Sequence, residues 1–438
     1  MKNDHAIRWL YEELPGWVAE GVVSPAAAEA LKRRYGMPEP RGGKPWALFF
    51  FGVVGALLIG AGIILLLAHN WEDLTRPWRT VVSFLPLLAG QGLSLYVLLR
   101  SRGVVWREAS AGFHALGVGA SIALVAQTYH MPGSFDTFML TWMLLILPLV
   151  YLLQATVPLL FYFAGITSWA GYQTGMEGPA FGWWLLMAAT IPYGISVMRA
   201  GVTSPRSAVV QWGAILAFTC SLGMVLERVF PGLWILAYAF WFTGLYLAGG
   251  FVDRESRSRW LFPARTFGGS ALLVFAFLLS WVWPWESIGW DATRWVQSPH
   301  PWVAGLDVVI VSGLAIAVVA FWVGTVRRGR KEDLGLGGFA PLVVVAYGVA
   351  ASGGDVVAAV MMSCFVAFVG LARIVNGVRR VELREFNSGM GIFTALLVFR
   401  FFDSDFSFIT KGLVFIGLGA VFLICNVVLT RRKGKEGA

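Results

Sequence analysis

Residues 45–68 read PWALFFFGVVGALLIGAGIILLLA, a run without a single charged side chain. A helix needs about 20 consecutive apolar residues to cross a bilayer, so this run predicts a membrane-spanning helix. Comparable runs recur to the C-terminus with short polar turns between them, which predicts about fourteen spans. The tightly joined pairs 137–154/155–171 and 335–352/355–375 leave re-entrant hairpins open as an alternative. The predicted spans are residues 45–68, 80–99, 109–128, 137–154, 155–171, 180–198, 208–226, 231–250, 263–283, 304–326, 335–352, 355–375, 387–402 and 410–430.

The composition independently indicates a membrane protein. Hydrophobic residues make up 57% of the 438 positions and charged residues only 13%. Soluble proteins carry about one quarter charged residues, and so few charges do not cover a water-facing surface. The sequence therefore predicts an all-α, polytopic transmembrane helix bundle whose main partner is the lipid bilayer.

The basic residues predict the orientation of the chain. With the N-terminus placed inside, 28 of the 34 Lys and Arg residues fall on the inner side and six on the outer side. This bias follows the positive-inside rule and predicts an even number of spans with both termini in the cytoplasm. The net charge of +9 is then a topology signal, and no nucleic-acid partner is predicted. The six outer residues are Arg76, Arg79, Arg228, Arg294, Arg400 and Lys411.

Three regions are expected along the chain. Residues 1–44 predict a short cytosolic helical hairpin, in which Ser24 caps a helix that begins at Pro25. Residues 45–430 form the transmembrane bundle, and residues 431–438 are a basic cytosolic tail. The polar N-terminal segment does not read as a cleavable signal peptide. We therefore expect a multi-pass protein of the bacterial cytoplasmic (inner) membrane, with the hairpin as a candidate site for a protein partner.

The cysteines and the missing enzyme motifs argue against a cofactor. Cys220, Cys364 and Cys425 each lie inside an apolar stretch without a CxxC pair or a histidine cluster, so we expect them to be buried and reduced. The sequence has no Walker P-loop, no HExxH and no GxSxG. No metal and no cofactor are predicted.

Two packing features are also expected. Small residues at four-residue spacing, such as Ala115 and Gly119, predict a face where helices approach closely. Residues 281–302 contain six tryptophans, which predicts an aromatic belt along the outer interface.

Polar side chains gather at the predicted outer ends of three helices, where they are costly near membrane depth. Packed together, these ends would form one outward-facing polar vestibule for a ligand or an ion. Its chemistry suits a divalent cation, a proton relay or an anionic head group, whereas ordinary water-exposed, capped turns are the alternative. The predicted vestibule residues are His69, Glu72, Asp73, Arg76, Gln127, His130, Asp136, Arg400, Asp403 and Asp405.

A few polar residues lie inside or near the ends of predicted spans. Gln91 and His114 are the most isolated, and a lone membrane histidine is typically packed and hydrogen-bonded. Arg373 is expected to extend towards the cytoplasmic interface. Asp307 and Asp355 lie near span ends, and Asp355 is expected to cap its own helix.

The sequence resembles a known family of prokaryotic predicted membrane proteins, domain of unknown function 2157. The resemblance rests on WVAEGVVSPAAAEALKRRYG (17–36), GVVGALLIGAGIILLLAHNWEDLTRPWR (52–79) and WREASAGFHALGVGASIALVAQTYHMPG (106–133). A C-terminal stretch, RFFDSDFSFITKGLVFIGLGAVFL (400–423), is also similar. The resemblance covers roughly residues 9–170 and 385–432. It implies a bacterial polytopic membrane protein and gives no catalytic residues to transfer. The residues that belong to its recognisable motifs are His69, Asn70, Trp71, Gln127, Tyr129, His130, Arg400, Asp403 and Asp405.

Three functions remain open at the level of the sequence. The preferred interpretation is a transporter- or flippase-like bundle that takes a small-molecule, lipid or ion substrate from the vestibule. A membrane enzyme acting on an extracytoplasmic lipid or glycan would require His69 or His130 beside a carboxylate. A non-catalytic scaffold or sensor would act through the N-terminal hairpin.

Overall fold

The described chain is helical. The structure is a computed structural model that describes residues 4–35, 71, 73–176, 178, 180–226, 230, 232–252, 259–286, 288, 301–402 and scattered positions between 409 and 427. Within these residues every regular element is an α-helix except for one 3₁₀ turn, and no strand occurs. The predicted all-α class is therefore confirmed. The chain divides into two compact units, Met1–Arg79 and Thr80–Ala438.

The first unit contains the N-terminal helices α1 (Asp4–Ala19) and α2 (Pro25–Tyr35), which pack against each other. The hydroxyl of Ser24 accepts a hydrogen bond from the Ala27 N–H at 3.3 Å, which is the predicted cap. The predicted first span, 45–68, lies outside the described residues, as do Gly52, Ala56 and Gly60.

The remaining helices follow one another with short connections. They are α3 (Arg76–Leu99), α4 (Val104–Tyr129), α5 (Phe135–Leu152), α6 (Val157–Gly175), α7 (Gly182–Ala188), α8 (Ile191–Ala200), α9 (Pro205–Val225), α10 (Leu233–Gly249), α11 (Pro263–Leu279), α12 (Pro301–Arg327), α13 (Lys331–Gly337), α14 (Phe339–Ala351), α15 (Asp355–Arg379) and α16 (Leu383–Phe402).

Several of these helices can cross a membrane. Seven described helical segments are long and apolar enough, and α10 and α11 are shorter apolar helices. A multi-pass membrane protein is therefore confirmed, whereas the number of spans and their orientation remain predictions. The seven segments are Arg76–Leu99, Val104–Tyr129, Phe135–Leu152, Pro205–Val225, Ala304–Arg327, Glu332–Ala351 and Asp355–Arg379.

Hydrogen bonds at both ends of α4, α5 and α6 show that these helices alternate in direction. At one end, the Glu108 carboxylate accepts hydrogen bonds from the Thr156 N–H at 2.7 Å and the Val157 N–H at 2.8 Å. At the other end, the Gln173 amide donates to the Asp136 carboxylate at 3.3 Å. An α-helix rises about 1.5 Å per residue, so α5 and α6 are each about 27–29 Å long. Their tight joint thus connects two helices of bilayer length.

The predicted span 180–198 is interrupted in its middle. Helix α7 ends at Ala188 and α8 begins at Ile191. Pro192 has no N–H to donate to a carbonyl one turn earlier, which weakens a continuous helix at this point. The predicted span 180–198 therefore consists of two shorter helices, and its path across the membrane stays a prediction.

Two tyrosines satisfy carbonyl groups at this break. The Tyr162 hydroxyl on α6 donates to the Leu186 carbonyl at 2.8 Å, and the Tyr151 hydroxyl on α5 donates to the Ala189 carbonyl. Backbone groups in hydrocarbon must find partners within the protein. Neighbouring helices supply them here.

The second unit has two principal apolar cores. One lies among α4–α9 and the other mainly among α10, α11 and α14–α16. In the first core, a Cβ added to Gly119 would lie 2.5 Å from the Trp142 ring, whose indole N–H donates to the Ala115 carbonyl at 2.8 Å. The predicted close-packing face at Ala115 and Gly119 is therefore confirmed.

The cysteine prediction was partly wrong. Cys220 and Cys364 are free thiols, as expected, but both are exposed on the surface of the bundle. A membrane-facing helix surface is itself apolar, so an apolar sequence context does not indicate burial within the protein. Cys425 lies outside the described residues.

The tryptophan-rich region is buried in part. Trp285 is fully buried, and its indole N–H donates to the Leu279 carbonyl at 2.8 Å. Trp283 and Trp302 are exposed, as the predicted belt requires. Trp290 and Trp295 lie outside the described residues.

Charged residues at the predicted cytoplasmic end join helices. Arg265 on α11 pairs with Asp333 on α13, and its guanidinium lies 4.0 Å from the ring centroid of Tyr246 on α10. Charged residues near the ends of predicted spans thus hold neighbouring helices together.

The structure bears on two predicted side-chain roles. The Arg373 guanidinium donates to the Ser388 hydroxyl on α16 at 2.7 Å, and its extension towards the cytoplasmic interface stays a prediction. Asp355 is the first residue of α15 and the cap position belongs to Gly354, so the predicted Asp355 cap was wrong.

Candidate functional site

A cavity of about 530 Å³ lies among α3, α4 and α5. Each helix contributes side chains three or four positions apart, which places them on one face. The lining residues are Phe84, Leu87, Gln91, His114, Val118, Ser121, Ile122, Val125, Met131, Leu145 and Leu149.

Two glycines set the close approach of α3 and α4 beside this cavity. A Cβ added to Gly90 would lie 2.7 Å from the His114 Cα atom, and one added to Gly117 would lie 2.6 Å from the Pro86 carbonyl oxygen. Both contacts involve backbone atoms, so neither position can hold a larger residue without separating the helices. The close approach of the two helices holds His114 against α3.

The histidine is packed and hydrogen-bonded, as expected. His114 is 9% exposed, and its Nδ1 atom lies 3.2 Å from the Ser94 hydroxyl oxygen. This contact orients the imidazole ring while its other nitrogen, Nε2, makes no hydrogen bond with the described residues.

Two further polar groups of the lining have no protein partner among the residues that the structure describes. Ser121 is 4% exposed, and its hydroxyl makes no hydrogen bond there. Gln91 is exposed on the surface of α3, and its amide makes no hydrogen bond with another described residue. Buried polar groups normally have partners, so an unsatisfied hydroxyl on a cavity wall points to a ligand or a water molecule.

These groups lie deep within the predicted membrane. His114 comes ten residues after the start of α4 at Val104, which is about 15 Å along the helix axis. Ser121 comes eight residues before the end of α4 at Tyr129, which is about 12 Å. A hydrogen-bonding group without a partner is costly at mid-bilayer depth, so these residues form a candidate site.

The vestibule predicted from the sequence is described only in part. His69, Glu72, Asp403 and Asp405 lie outside the described residues, and Arg400 is placed only as a position on α16. Asp73 and Arg76 are exposed in the first unit. Gln127, His130 and Asp136 occur together at one end of α4 and α5.

The described part of this vestibule is an ordered polar turn. His130 ends α4 in the left-handed conformation, with φ 50°, and is exposed. Asp136 bonds to Gln173, and the Tyr129 hydroxyl lies 2.9 Å from that of Thr80. Among the described residues, no three His, Cys, Asp or Glu side chains are placed to hold a metal ion. The vestibule as a whole remains a prediction.

The sequence analysis identified two of the four polar residues at or beside the cavity. It singled out Gln91 and His114 but not Ser94 and Ser121, because single serines are common in membrane helices. A helical-face comparison could have found Ser121, because positions 114, 118, 121 and 125 fall on one face of α4.

The comparisons with known proteins give a family and no closer relative. Residues 15–159 match a family described as predicted membrane protein (DUF2157). No curated protein and no solved structure matches the chain. The matched segment contains every residue that lines the cavity, whereas the resemblance at 385–432 lies outside it. Over residues 15–159, the chain is therefore similar to the predicted membrane proteins of DUF2157.

Proposed function

We propose that this protein is transporter- or flippase-like and that its substrate occupies the cavity among α3, α4 and α5. One observation carries the proposal. The cavity contains Gln91, His114 and Ser121 near the middle of the predicted bilayer, and the Ser121 hydroxyl lacks a partner among the described residues. Helix packing alone accounts for the Ser94–His114 contact, but it gives the Ser121 hydroxyl no partner among the described residues.

The rim of the cavity indicates access from the bilayer. Phe84, Met131 and Leu145 line the cavity and are 41%, 51% and 53% exposed. In a membrane such exposed apolar side chains face lipid, so a lipid-soluble substrate can enter sideways. His130 follows Ser121 by nine residues, about 13 Å along α4 and its cap. The predicted outer vestibule would then receive or release the polar end of the substrate.

The enzyme alternative has less support. It requires a histidine within hydrogen-bond reach of a carboxylate. His130 is exposed, and within the described residues no carboxylate bonds to it.

A matched pair of substitutions tests the proposal. Val125→Phe fills the cavity, whereas Val357→Phe adds the same bulk in an apolar groove on α15, where Val357 is exposed. The full-length protein is reconstituted into liposomes that contain fluorescent lipid analogues with neutral and charged heads. Movement between leaflets is followed by chemical quenching of the outer fluorophores.

We expect the wild-type protein and Val357→Phe to accelerate the exchange of at least one analogue over protein-free liposomes, and Val125→Phe to lose this activity. Exchange at the protein-free rate with every analogue would contradict the proposal. Undiminished exchange by a correctly folded Val125→Phe protein would do so too.

A further inference from the structure

We infer that the ligand of this cavity is an uncharged lipid with a hydroxyl head, bound through the Gln91 amide and the Ser121 hydroxyl. The inference rests on the proposed function, because it names the substrate class of the same site. It is drawn from the charge of the lining, the hydrogen-bonding groups and the position of the apolar rim.

The lining excludes a charged head group. It contains no Asp, Glu, Lys or Arg residue. A phosphate or an ammonium group taken into this cavity would lose its hydration without gaining an ion pair, and the desolvation penalty would be large. A neutral head avoids that penalty.

The polar groups match a hydroxyl. An amide offers two donor hydrogens and an acceptor oxygen, and a serine hydroxyl both donates and accepts. A head group that itself donates and accepts is therefore a suitable partner for both Gln91 and Ser121. His114 is already oriented by Ser94, so the free Nε2 atom adds a third polar contact in either tautomer.

The remaining surface matches an acyl or isoprenoid chain. Apart from Gln91, His114 and Ser121, every lining residue is apolar. Phe84, Met131 and Leu145 continue this surface outwards to the membrane. The head of the lipid would lie inside the protein, and most of its chain would remain in the bilayer.

Photo-cross-linking distinguishes the head groups. Three probes share the same diazirine-bearing acyl chains: a diacylglycerol, its O-methyl ether and the corresponding phosphatidic acid. Each is added to the full-length protein in nanodiscs, and labelled peptides are identified by mass spectrometry. We expect the diacylglycerol to label residues 84–149 most strongly, the ether more weakly and the phosphatidic acid least.

Single substitutions assign the polar contacts. Ser121→Ala and Gln91→Leu should each lower diacylglycerol labelling about fivefold, which is the loss of roughly one hydrogen bond. Gln91 is exposed, so Gln91→Leu leaves the packing intact even if Ser121→Ala disturbs it. Ser168→Ala is the matched control, because Ser168 is exposed on α6, is absent from the lining and bonds to the Ala164 carbonyl. It should leave labelling unchanged.

Several outcomes would overturn the inference. Phosphatidic acid labelling equal to or above that of the diacylglycerol would reject the neutral head, while leaving the leaflet-exchange result to decide the proposed function. Labelling that falls outside residues 84–149 with all three probes would reject a lipid occupant. Equal labelling of wild type, Ser121→Ala and Gln91→Leu would reject the assigned contacts. Specific diacylglycerol labelling without leaflet exchange would support the site and reject transport.

Discussion

Gly117 illustrates how single residues shape the candidate site. The Pro86 carbonyl oxygen of α3 occupies the space where a side chain at this position would begin. Gly90 provides the same clearance for the backbone at His114. Because backbone atoms cannot move aside by changing rotamer, these two positions determine how closely α3 and α4 approach. The cavity and its polar groups depend on that distance.

The substitution Gly117→Ala should therefore destabilise the protein by about 1–3 kcal/mol, the usual cost of overpacking. Gly92→Ala on α3 is the control, since nothing lies within 4 Å of a Cβ added there. Thermal unfolding of the purified proteins in detergent measures the difference. Equal melting temperatures for the two variants would show that the α3–α4 approach is looser than described.

At the scale of elements, the break between α7 and α8 differs most from the sequence prediction. Pro192 alone would suggest a kink, but the neighbouring helices determine whether the freed carbonyls are tolerated. Tyr162 from α6 and Tyr151 from α5 supply the missing donors. The break is thus a shared feature of four helices.

Removing one of these hydroxyls should destabilise the backbone where α7 meets α8. Tyr162 is fully buried, so Tyr162→Phe leaves the Leu186 carbonyl without its donor and should cost about 1 kcal/mol. Hydrogen–deuterium exchange across residues 184–194 should accelerate. Tyr172→Phe on the same helix is the control, because the hydroxyl of Tyr172 makes no hydrogen bond in the described structure while its ring packs on Phe135. Identical exchange in the two variants would refute the role of Tyr162.

At the scale of the whole molecule, the loop charges predict the orientation of the chain in the membrane. Gly103 lies at the predicted cytoplasmic end of α4, and Gly133 lies beyond its outer end. Nothing lies within 4 Å of a Cβ at either glycine, so both positions tolerate a probe residue.

In a cysteine-free background, we expect a membrane-impermeant maleimide to label Gly133→Cys in intact cells and Gly103→Cys only after lysis. The reason is that 28 of 34 basic residues then face the cytoplasm. The reverse labelling pattern would contradict the predicted topology and indicate the opposite orientation. Labelling of both variants in intact cells would contradict the membrane path of α4.

Much of the helical architecture was predictable from the sequence, and less of the site. The spans near 80–99, 109–128 and 355–375 correspond to helices because apolar length is a local property. The burial of Trp285 and the exposure of Cys220 were not predictable, because hydropathy does not distinguish a lipid-facing from a protein-facing apolar surface. Gln91 and His114 stood out by their cost in hydrocarbon, but their association with Ser121 depended on which helix faces meet.

The sequence by itself determined that this protein is a multi-pass helical membrane protein, since the transfer of each segment into hydrocarbon depends on its own side chains. Only the tertiary structure decided where polar groups converge, because that depends on the rotation and approach of separate helices. The glycines at 90 and 117 permit that approach, and it places Gln91, His114 and Ser121 on one cavity wall.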